Sequence, residues 1–366
     1  MRRRLTYPFA GAAALAGAVA FGTRALASRV TRVRPERQLN HLLVAVDGET
    51  VVLRADEETR RPGRYGIYWR DGHAVLGDVV AADARTVRRR VESVGAGTLQ
   101  PGKFGFGYLH YGDPSSAHGV AFAEPTVPTE VGEIPLWEIS GRDDLWVILL
   151  HGYRGSRVSA LSFVPLLRSL GLSILVVSYR NDPDAPAGGD GHYHLGGSEW
   201  EEVAAAAAYA RSQGARRIVL FGWSMGAAIA LQAYDRMDDR ALVAGLVLDS
   251  PVLDWRAVLF HQAARRHVPR LLMRLVLRRV ARTARIDYRV FDWIARSGEL
   301  EVPVLIFHSS DDPIVPATES HELARRRSDL VTLVDDERAG HFGTFNVDPD
   351  SYEATVRAFL ARVLGL

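Results

Sequence analysis

The sequence contains no cysteine in its 366 residues. Disulfide bonds, a thiolate nucleophile and cysteine-ligated zinc are therefore excluded. Lys103 is the sole lysine, so arginine supplies nearly all of the positive charge, as is typical of GC-rich coding. The formal net charge is only +2, which gives no overall field that would draw the chain to nucleic acid. The absences leave an ordinary globular composition, with 47% hydrophobic and 24% charged residues.

The N-terminus is typical of an export signal. M-R-R-R is followed by an uncharged, mostly alanine and glycine run at residues 5–22, and then by A-L-A at residues 25–27. A basic start, an apolar core and an A-x-A site predict a signal peptide. The alternatives are an uncleaved membrane anchor and a buried N-terminal helix. We therefore expect residues 1–30 to be a signal peptide or anchor, with the rest of the chain working at the cell membrane or outside the cytoplasm.

Residues 31–116 predict a small β-rich unit. Runs such as T-V-V-L-R and Y-G-I-Y-W-R are β-branched or aromatic, and D-G and R-P-G turn signals separate them. The stretch G-K-F-G-F-G-Y at residues 102–108 alternates glycine with aromatic residues, which favours a bulged strand or a loop over a nucleotide-binding loop. No candidate site residue falls in this unit.

Residues 117–366 predict a second, α/β unit. After short strands near 119–123 and 134–140, buried apolar runs such as L-W-V-I-L-L and P-V-L-I-F alternate with helical patterns. Strands this apolar are covered on both faces, and their alternation with helices predicts a mostly parallel sheet between two helical layers. Residues 252–300 interrupt the pattern with helical, arginine-rich sequence.

The stretch G-W-S-M-G at residues 222–226 predicts a reactive serine. It follows an apolar strand and precedes a helical run, so Ser224 lies on a sharp turn whose crowding the flanking glycines relieve. The N-terminus of the following helix directs its dipole toward an oxyanion formed there. A serine needs a base and an orienting acid, and both follow in chain order. H-S-S-D-D-P-I-V-P supplies Asp311 and Asp312, and A-G-H-F-G supplies His341.

These motifs, together with H-G-Y-R-G at residues 151–155 and D-S-P at residues 249–251, resemble the α/β-hydrolase superfamily, and most of all its serine-aminopeptidase-like and monoacylglycerol-lipase-like branch. The resemblance covers residues 117–366 and implies an α/β-hydrolase fold, with residues 252–300 as a helical lid. That branch normally lacks the β-rich unit and has a compact glycine-rich turn where this chain has a long loop at residues 181–197.

The resemblance also implies roles for individual residues. Ser224 would be the nucleophile and His341 the general base. Asp312 would be the acid, since it stands three residues before V-P, with Asp311 as the alternative. The backbone N–H groups of Tyr153 and Met225 would form the oxyanion hole.

Other polar residues have simpler interpretations. Asp249 ends a strand and could in principle supply the acid, but in D-S-P it is more typical of a turn residue, and His151 is expected to support its loop by hydrogen bonding. His192 and His194 in H-Y-H form a weak metal signal without a third ligand. We therefore expect no metal and no cofactor, because a serine–histidine–aspartate triad needs neither.

The sequence predicts a serine hydrolase that cleaves carboxylic esters, including acylglycerol or other lipid esters, through an acyl-serine intermediate. A serine peptidase or amidase and an acyltransferase are alternatives, because they use the same triad. An alternative of another class is a catalytically silent lipid-binding protein that contacts anionic lipid through its basic lid. The expected partners are a small-molecule or lipid ester and a membrane.

Overall fold

The computed structural model describes residues 7–33 and 39–366. Helix α1 spans Tyr7–Thr31 and its C-terminal half packs against a later helix of the arginine-rich segment. The M-R-R-R start, and part of the connector after α1, lie outside the described residues. Among residues 7–33 and 39–366, no helix combines the length and hydrophobicity that a membrane span requires. The sequence analysis had left such an anchor open as an alternative to a signal peptide.

Six antiparallel strands of the described chain close into a small barrel in the order β1-β2-β5-β4-β3-β6. The strands are β1 His41–Asp47, β2 Thr50–Arg54, β3 Tyr65–Trp69, β4 Gly72–Ala82, β5 Thr86–Ala96 and β6 Gly102–Gly107. Alternate residues face the barrel interior, as Val51 and Leu53 of T-V-V-L-R do, around the buried ring of Phe104. The prediction of a β-rich unit is confirmed, and the glycine–aromatic stretch begins with a strand.

The second unit is built on an eight-stranded sheet in the order β14-β13-β12-β11-β9-β10-β8-β7. Its strands are β7 Thr126–Thr129, β8 Gly132–Ile139, β9 Arg142–Leu150, β10 Leu172–Val177, β11 Arg217–Trp223, β12 Val243–Asp249, β13 Val304–Ser309 and β14 Val331–Asp336. The strands from β9 to β14 are parallel, and β7 and β8 join antiparallel at one edge.

One strand prediction is wrong. Residues 119–123 form no strand, because only Ala123 makes an isolated bridge to Glu138, and the edge strand that pairs with β8 lies later, at β7. The predicted strand near 134–140 is confirmed as β8.

Helices cover both faces of this sheet. They are α2 Pro114–His118, α3 Val164–Ser169, α4 Trp200–Ser212, α5 Met225–Arg236, α6 Trp255–Arg265, α7 Arg270–Thr283, α8 Thr318–Arg326, α9 Thr344–Val347 and α10 Pro349–Leu364, with 3-10 turns at Arg157–Phe163, Arg240–Leu242, Tyr288–Phe291 and Ser297–Glu299. Successive residues of β9 alternate between two buried clusters: Ile148 packs on the α4–α5 side and Leu149 on the α3–α10 side. This explains why the strands are apolar throughout.

The topology gathers the predicted site residues at one edge. Ser224 follows β11, the H-G-Y-R-G loop follows β9, Asp312 follows β13, and His341 follows β14. Because these strands are parallel, all four of their carboxyl ends open on the same side of the sheet.

Candidate active site

Ser224 stands on a strained turn between β11 and α5. Its backbone has φ +54° and ψ −112°, a conformation that residues with side chains rarely adopt. The turn leaves no room for neighbouring side chains: a Cβ on Gly222 would lie 2.4 Å from the carbonyl oxygen of Gly226, and one on Gly226 would lie 2.1 Å from that of Leu150. The Ser224 N–H donates to the Asp249 carbonyl oxygen at 2.9 Å, which fixes the turn against β12. The glycine spacing therefore serves the turn, as the sequence indicated.

His341 connects the serine to a carboxylate. Its Nε2 lies 3.1 Å from Ser224 Oγ, and its Nδ1 lies 2.7 Å from Asp312 Oδ2. The three side chains come from three different loops and form one hydrogen-bonded chain. In this arrangement, His341 Nε2 can accept the proton of the Ser224 hydroxyl, and the Asp312 carboxylate holds the His341 ring in place.

Asp312 is buried, but protein N–H groups donate hydrogen bonds to its carboxylate. Its Oδ1 accepts the backbone N–H groups of Ile314 at 2.7 Å and Val315 at 2.9 Å, and the His308 ring lies 3.4 Å from its Oδ2. Burial alone raises the pKa of Asp312, but the charge and hydrogen bond of His341, with the contacts of His308 and Val315, outweigh it and hold the pKa well below its usual range. Asp312 is therefore ionised and can supply the counter-charge when His341 becomes an imidazolium.

The structure places Asp312 rather than Asp311 against the histidine. Asp311 Oδ1 instead accepts the Gly340 N–H at 2.7 Å and the Ser309 hydroxyl at 2.6 Å. Asp311 thus shapes the loop that carries His341 without touching the ring. Each neighbouring carboxylate has a separate task, which adjacent residues on a turn can take because their side chains point in different directions.

Asp249 does not reach the histidine. Its carboxylate is fully buried and accepts hydrogen bonds from Tyr352 Oη at 3.0 Å and Ser250 Oγ at 3.1 Å. Burial raises the pKa of Asp249 to about 6, although these two hydrogen bonds act in the opposite direction. Ser250 Oγ in turn accepts the Phe342 N–H at 2.9 Å, so this pair braces the loop next to His341.

The H-G-Y-R-G loop lies directly over the serine. A Cβ on Gly152 would lie 3.4 Å from the Ser224 Cβ, so the chain between β9 and Tyr153 passes at van der Waals distance from the turn that carries Ser224. Met225, which directly follows Ser224, is the first residue of α5. The structure thus brings both residues with predicted oxyanion-hole amides close to Ser224, one of them at a helix N-terminus.

Sequence reasoning missed the partner of His151. The His151 Nε2 lies 2.7 Å from Asp182 Oδ2, and both side chains are buried. Asp182 also accepts the Tyr179 N–H at 2.7 Å. Burial lowers the pKa of His151, but the charge of Asp182 and its hydrogen bond outweigh this and raise it overall. The pair braces the loop beside the serine; Asp182 stands in the long 181–197 loop, and no local sequence signal connects it with a histidine 31 residues earlier.

Ser224 opens into a cavity of about 450 Å³. Its apolar lining comes from α1, the 181–197 loop, the segment after β12, α6, α7 and the segment after β13, and includes Leu26, Val30, Leu195, Val252, Trp255, Val258, Leu259, Met273, Val276, Ile314 and Val315. The sequence left a buried N-terminal helix open as an alternative, but it did not predict that α1 would line this cavity, because a segment that resembles an export signal carries no indication of its packing partner.

The two histidines of H-Y-H do not form a metal site with their neighbours. His194 contacts Asp190 at 3.0 Å and Ser198 Oγ at 2.7 Å, and the His192 backbone pairs with Arg32 after α1. Across residues 7–33 and 39–366 there is no group of three or more histidine and acidic residues that could hold a metal ion.

Comparisons with known proteins agree with this fold. Residues 147–358 match the model of the alpha/beta hydrolase family, and residues 43–106 match a domain of unknown function (DUF8805). The esterase Pf2001 of Pyrococcus furiosus is 20% identical, with a TM-score of 0.56 over 70% of this chain and 98% of that one. A second crystal form gives 21% identity and a TM-score of 0.54, over 70% and 95% of the two chains. No curated protein matches the chain.

Structural likeness at this level of identity shows the fold alone. The family model, by contrast, covers more than half of the chain, and it includes the serine elbow, both aspartates after β13 and the histidine loop. The protein belongs to the alpha/beta hydrolase family.

Proposed function

We propose that this protein is a serine esterase in which Ser224, His341 and Asp312 form the catalytic triad. The observation that carries the proposal is the hydrogen-bonded chain from Ser224 Oγ through His341 to Asp312, built on a backbone turn that is strained to expose the serine. Strain of this kind persists at functional sites, where the surrounding structure maintains it.

The chemistry follows from these positions. Ser224 Oγ attacks the ester carbonyl carbon while His341 Nε2 takes its proton, and the N–H groups of Met225 and Tyr153 stabilise the oxyanion. His341 then gives the proton to the departing alcohol oxygen as the carbon–oxygen bond breaks, leaving an acyl-serine. Water attacks the acyl carbon with His341 again as base, which releases the carboxylic acid and restores the serine. Asp312 stays ionised and holds Nδ1–H throughout.

An ester with an apolar acyl chain fits the cavity at Ser224. The lining is mainly aliphatic, with Trp255 and the side chains of α6 and α7 above the serine. Burial of acyl methylene groups there is favourable by about 0.8 kcal/mol each. The esterase Pf2001 shares this fold, and we propose ester hydrolysis for this chain, with amide hydrolysis as the alternative that substrate assays separate. We propose that residues 252–300 act as the lid over this acyl pocket.

A membrane surface is the proposed setting. Phe21 of α1 and Leu271 of α7 are 75% and 73% exposed, and Leu275 of α7 is also exposed. Eight arginines and no acidic residue lie between Arg265 and Arg285. Exposed large apolar groups within a cationic helix suit the interface of an anionic bilayer.

The N-terminus supports export to that setting. We propose that α1 directs the chain to the cell membrane, with the enzyme outside the cytoplasm, and that α1 stays attached, because Leu26 and Val30 line the acyl pocket. The intact mass of protein recovered from membranes of the producing cells tests this. A species that lacks residues 1–27 would contradict retention of α1.

Labelling with a fluorophosphonate probe tests the esterase proposal. The full chain is compared with Ser224→Ala and with Ser310→Ala, in which an exposed serine near the site is removed. We expect labelling of the wild type and of Ser310→Ala, and none of Ser224→Ala. Unlabelled enzyme from the same preparation is then assayed on p-nitrophenyl esters and on the matching anilides, which separate an esterase from an amidase.

The alternatives have distinct outcomes. Acyl transfer to an added alcohol in preference to water would indicate an acyltransferase. A folded wild type that is not labelled would contradict the proposal and favour the lipid-binding alternative. Flotation with liposomes of anionic and neutral lipid at low and high salt tests that binding separately, because electrostatic attraction to the arginines weakens with salt.

A further inference from the structure

A second cavity lies on the histidine side of the candidate triad. It has a volume of about 210 Å³ and is lined by His341 and Phe342, whereas Ser224 lines the larger apolar cavity. One wall belongs to the barrel, through Tyr65 and residues 106–108, and the opposite wall belongs to the turn that follows the H-G-Y-R-G loop. The pair Ser224–His341 therefore stands between two cavities of different origin.

The barrel is attached to the loop that carries His341. The Arg64 N–H donates to the Asn346 carbonyl oxygen at 2.9 Å, and the Asn346 side-chain amide donates back to the Arg64 carbonyl oxygen. The guanidinium of Arg61 passes over Gly340, where a Cβ would lie 2.8 Å from its Cζ. A Cβ on Gly343 would lie 3.4 Å from the Tyr65 hydroxyl oxygen. Barrel side chains thus contact the residues on either side of His341.

A buried arginine holds this wall in place. Arg89 is fully buried inside the barrel and donates to the carbonyl oxygens of Thr59 at 3.1 Å and Arg61 at 2.7 Å, and also to that of Gly63. Its guanidinium lies 5.3 Å from the centre of the Tyr65 ring, within the range of a cation–π contact. The loop and the ring that face the second cavity are therefore positioned before any ligand arrives.

Polar groups of this wall are available for hydrogen bonds to a ligand. The Tyr65 hydroxyl is buried and has no hydrogen-bond partner among the described residues. Arg61 and Glu58, of opposite charge, also line the cavity. A hydrogen bond from His41, at 2.8 Å, outweighs burial and lowers the pKa of Glu58, so the carboxylate remains an acceptor.

These groups select among classes of leaving group. An apolar alcohol would leave the Tyr65 hydroxyl unsatisfied, which is unfavourable in a buried site. An anionic leaving group would be repelled by the carboxylate of Glu58, which also lines the cavity. A neutral group with several hydroxyls can donate to Glu58 and accept from Arg61 and Tyr65, while its C–H faces pack on Phe106 and Phe342.

We propose that the N-terminal barrel is the leaving-group subsite of this enzyme and that it binds a polyol alcohol, such as glycerol or a monosaccharide. The inference rests on the proposed esterase function. The group that protonates the departing oxygen must lie within hydrogen-bond reach of it, so the alcohol leaves on the His341 side. As the ester C–O bond breaks and the acyl-serine remains, the proton from His341 Nε2 yields the neutral polyol in the barrel-lined cavity.

Kinetics on esters that share one acyl group test the subsite. The values of kcat/KM are measured for ethyl octanoate, 1-monooctanoylglycerol and 6-O-octanoylglucose with the full chain. The variant is Tyr65→Phe, which keeps the ring and its packing, and the matched control is Tyr111→Phe, whose ring is exposed and outside the cavity. We expect the wild type to prefer at least one polyol ester, and the better of the two identifies glycerol or sugar. Tyr65→Phe should lower the ratio of polyol to ethyl ester by roughly five- to ten-fold, since one hydrogen bond is lost, whereas Tyr111→Phe leaves the ratio as in the wild type.

Each outcome separates the subsite from the esterase proposal. Hydrolysis of ethyl octanoate with no preference for either polyol ester, or with a ratio that Tyr65→Phe does not change, overturns the subsite and leaves the esterase intact. Absence of fluorophosphonate labelling at Ser224 overturns both. If Ser224 is labelled but turnover is too slow, isothermal titration of 1-monooctanoylglycerol into Ser224→Ala, with and without Tyr65→Phe, decides: equal affinities overturn the subsite, and weaker binding by the double variant supports it.

Discussion

The hydroxyl of Tyr153 donates a hydrogen bond to the backbone carbonyl oxygen of Val30, 2.8 Å away and 123 residues earlier in the chain. The Tyr193 N–H donates to the neighbouring Thr31 carbonyl oxygen at 2.6 Å. The last turn of α1 is therefore tied to the loop that carries a predicted oxyanion-hole amide. A segment that resembles an export signal has become part of the candidate site.

Removal of α1 is expected to change acyl-chain selectivity. Deletion of residues 1–27 removes Leu26 from the wall of the acyl pocket, so kcat/KM for a decanoyl p-nitrophenyl ester should fall by roughly ten-fold, the magnitude of one buried leucine side chain. The acetyl ester should be affected far less, because its acyl group does not reach that wall. Leu26→Ala should show the same trend, and Leu26→Met, which preserves volume, should not. Equal losses on both esters would mean that α1 acts only on stability.

The two neighbouring aspartates should differ in kinetic effect. Asp312→Asn removes the charge that holds the imidazolium and changes the hydrogen bond to Nδ1, so we expect kcat to fall by about four orders of magnitude. Asp311→Asn is the matched change one residue earlier and should cost about ten-fold, because it only weakens support of the loop at Gly340. Steady-state kinetics on p-nitrophenyl acetate measure both. A larger loss for Asp311→Asn would contradict the assignment of the acid.

Arg89 is expected to dominate the stability of the barrel. Arg89→Met leaves several buried carbonyl oxygens without their donor, and we expect a loss of about 3–5 kcal/mol in the free energy of unfolding. Arg88→Met, at the preceding position on the same strand, removes a partly exposed ion pair with Asp47 and a hydrogen bond to Thr50 Oγ1, and should cost less than about 1 kcal/mol. Urea denaturation followed by circular dichroism measures both variants. Similar losses in the two would show that burial of Arg89 is not the cause.

Asp249 should give the protein a stability component that declines with rising pH. Its folded pKa of about 6 lies above the ordinary value of 3.8, so the folded state holds the proton more tightly than the unfolded chain does. The stabilisation is complete below pH 3.8 and is lost as the pH rises through 6. Asp249→Asn cannot titrate, so between pH 4 and pH 8 its stability relative to the wild type should rise by up to about 3 kcal/mol. Urea melts of both proteins across this range test it; a constant difference would contradict the raised pKa.

The alternation of buried apolar strands with amphipathic helices was sufficient to predict the α/β sheet, because strands covered on both faces are apolar throughout. Likewise, G-W-S-M-G predicted the sharp turn at Ser224. Backbone carbonyl oxygens lie so close to residues 222 and 226 that only glycine fits at these two positions. These features depend on local chain geometry, so the sequence pattern predicts them.

Tertiary structure decided what depends on contacts between distant segments. The sequence favoured Asp312 by its place before V-P and kept Asp311 as the alternative, and the structure shows that the carboxylate of Asp312 is the one that faces His341. The pairing of His151 with Asp182, the packing of α1 beside Ser224, and the placement of Tyr65 next to the histidine loop join segments that lie far apart in the chain. The sequence by itself predicted the fold and the candidate site residues, because their patterns are local; only the folded chain decided which surfaces surround them.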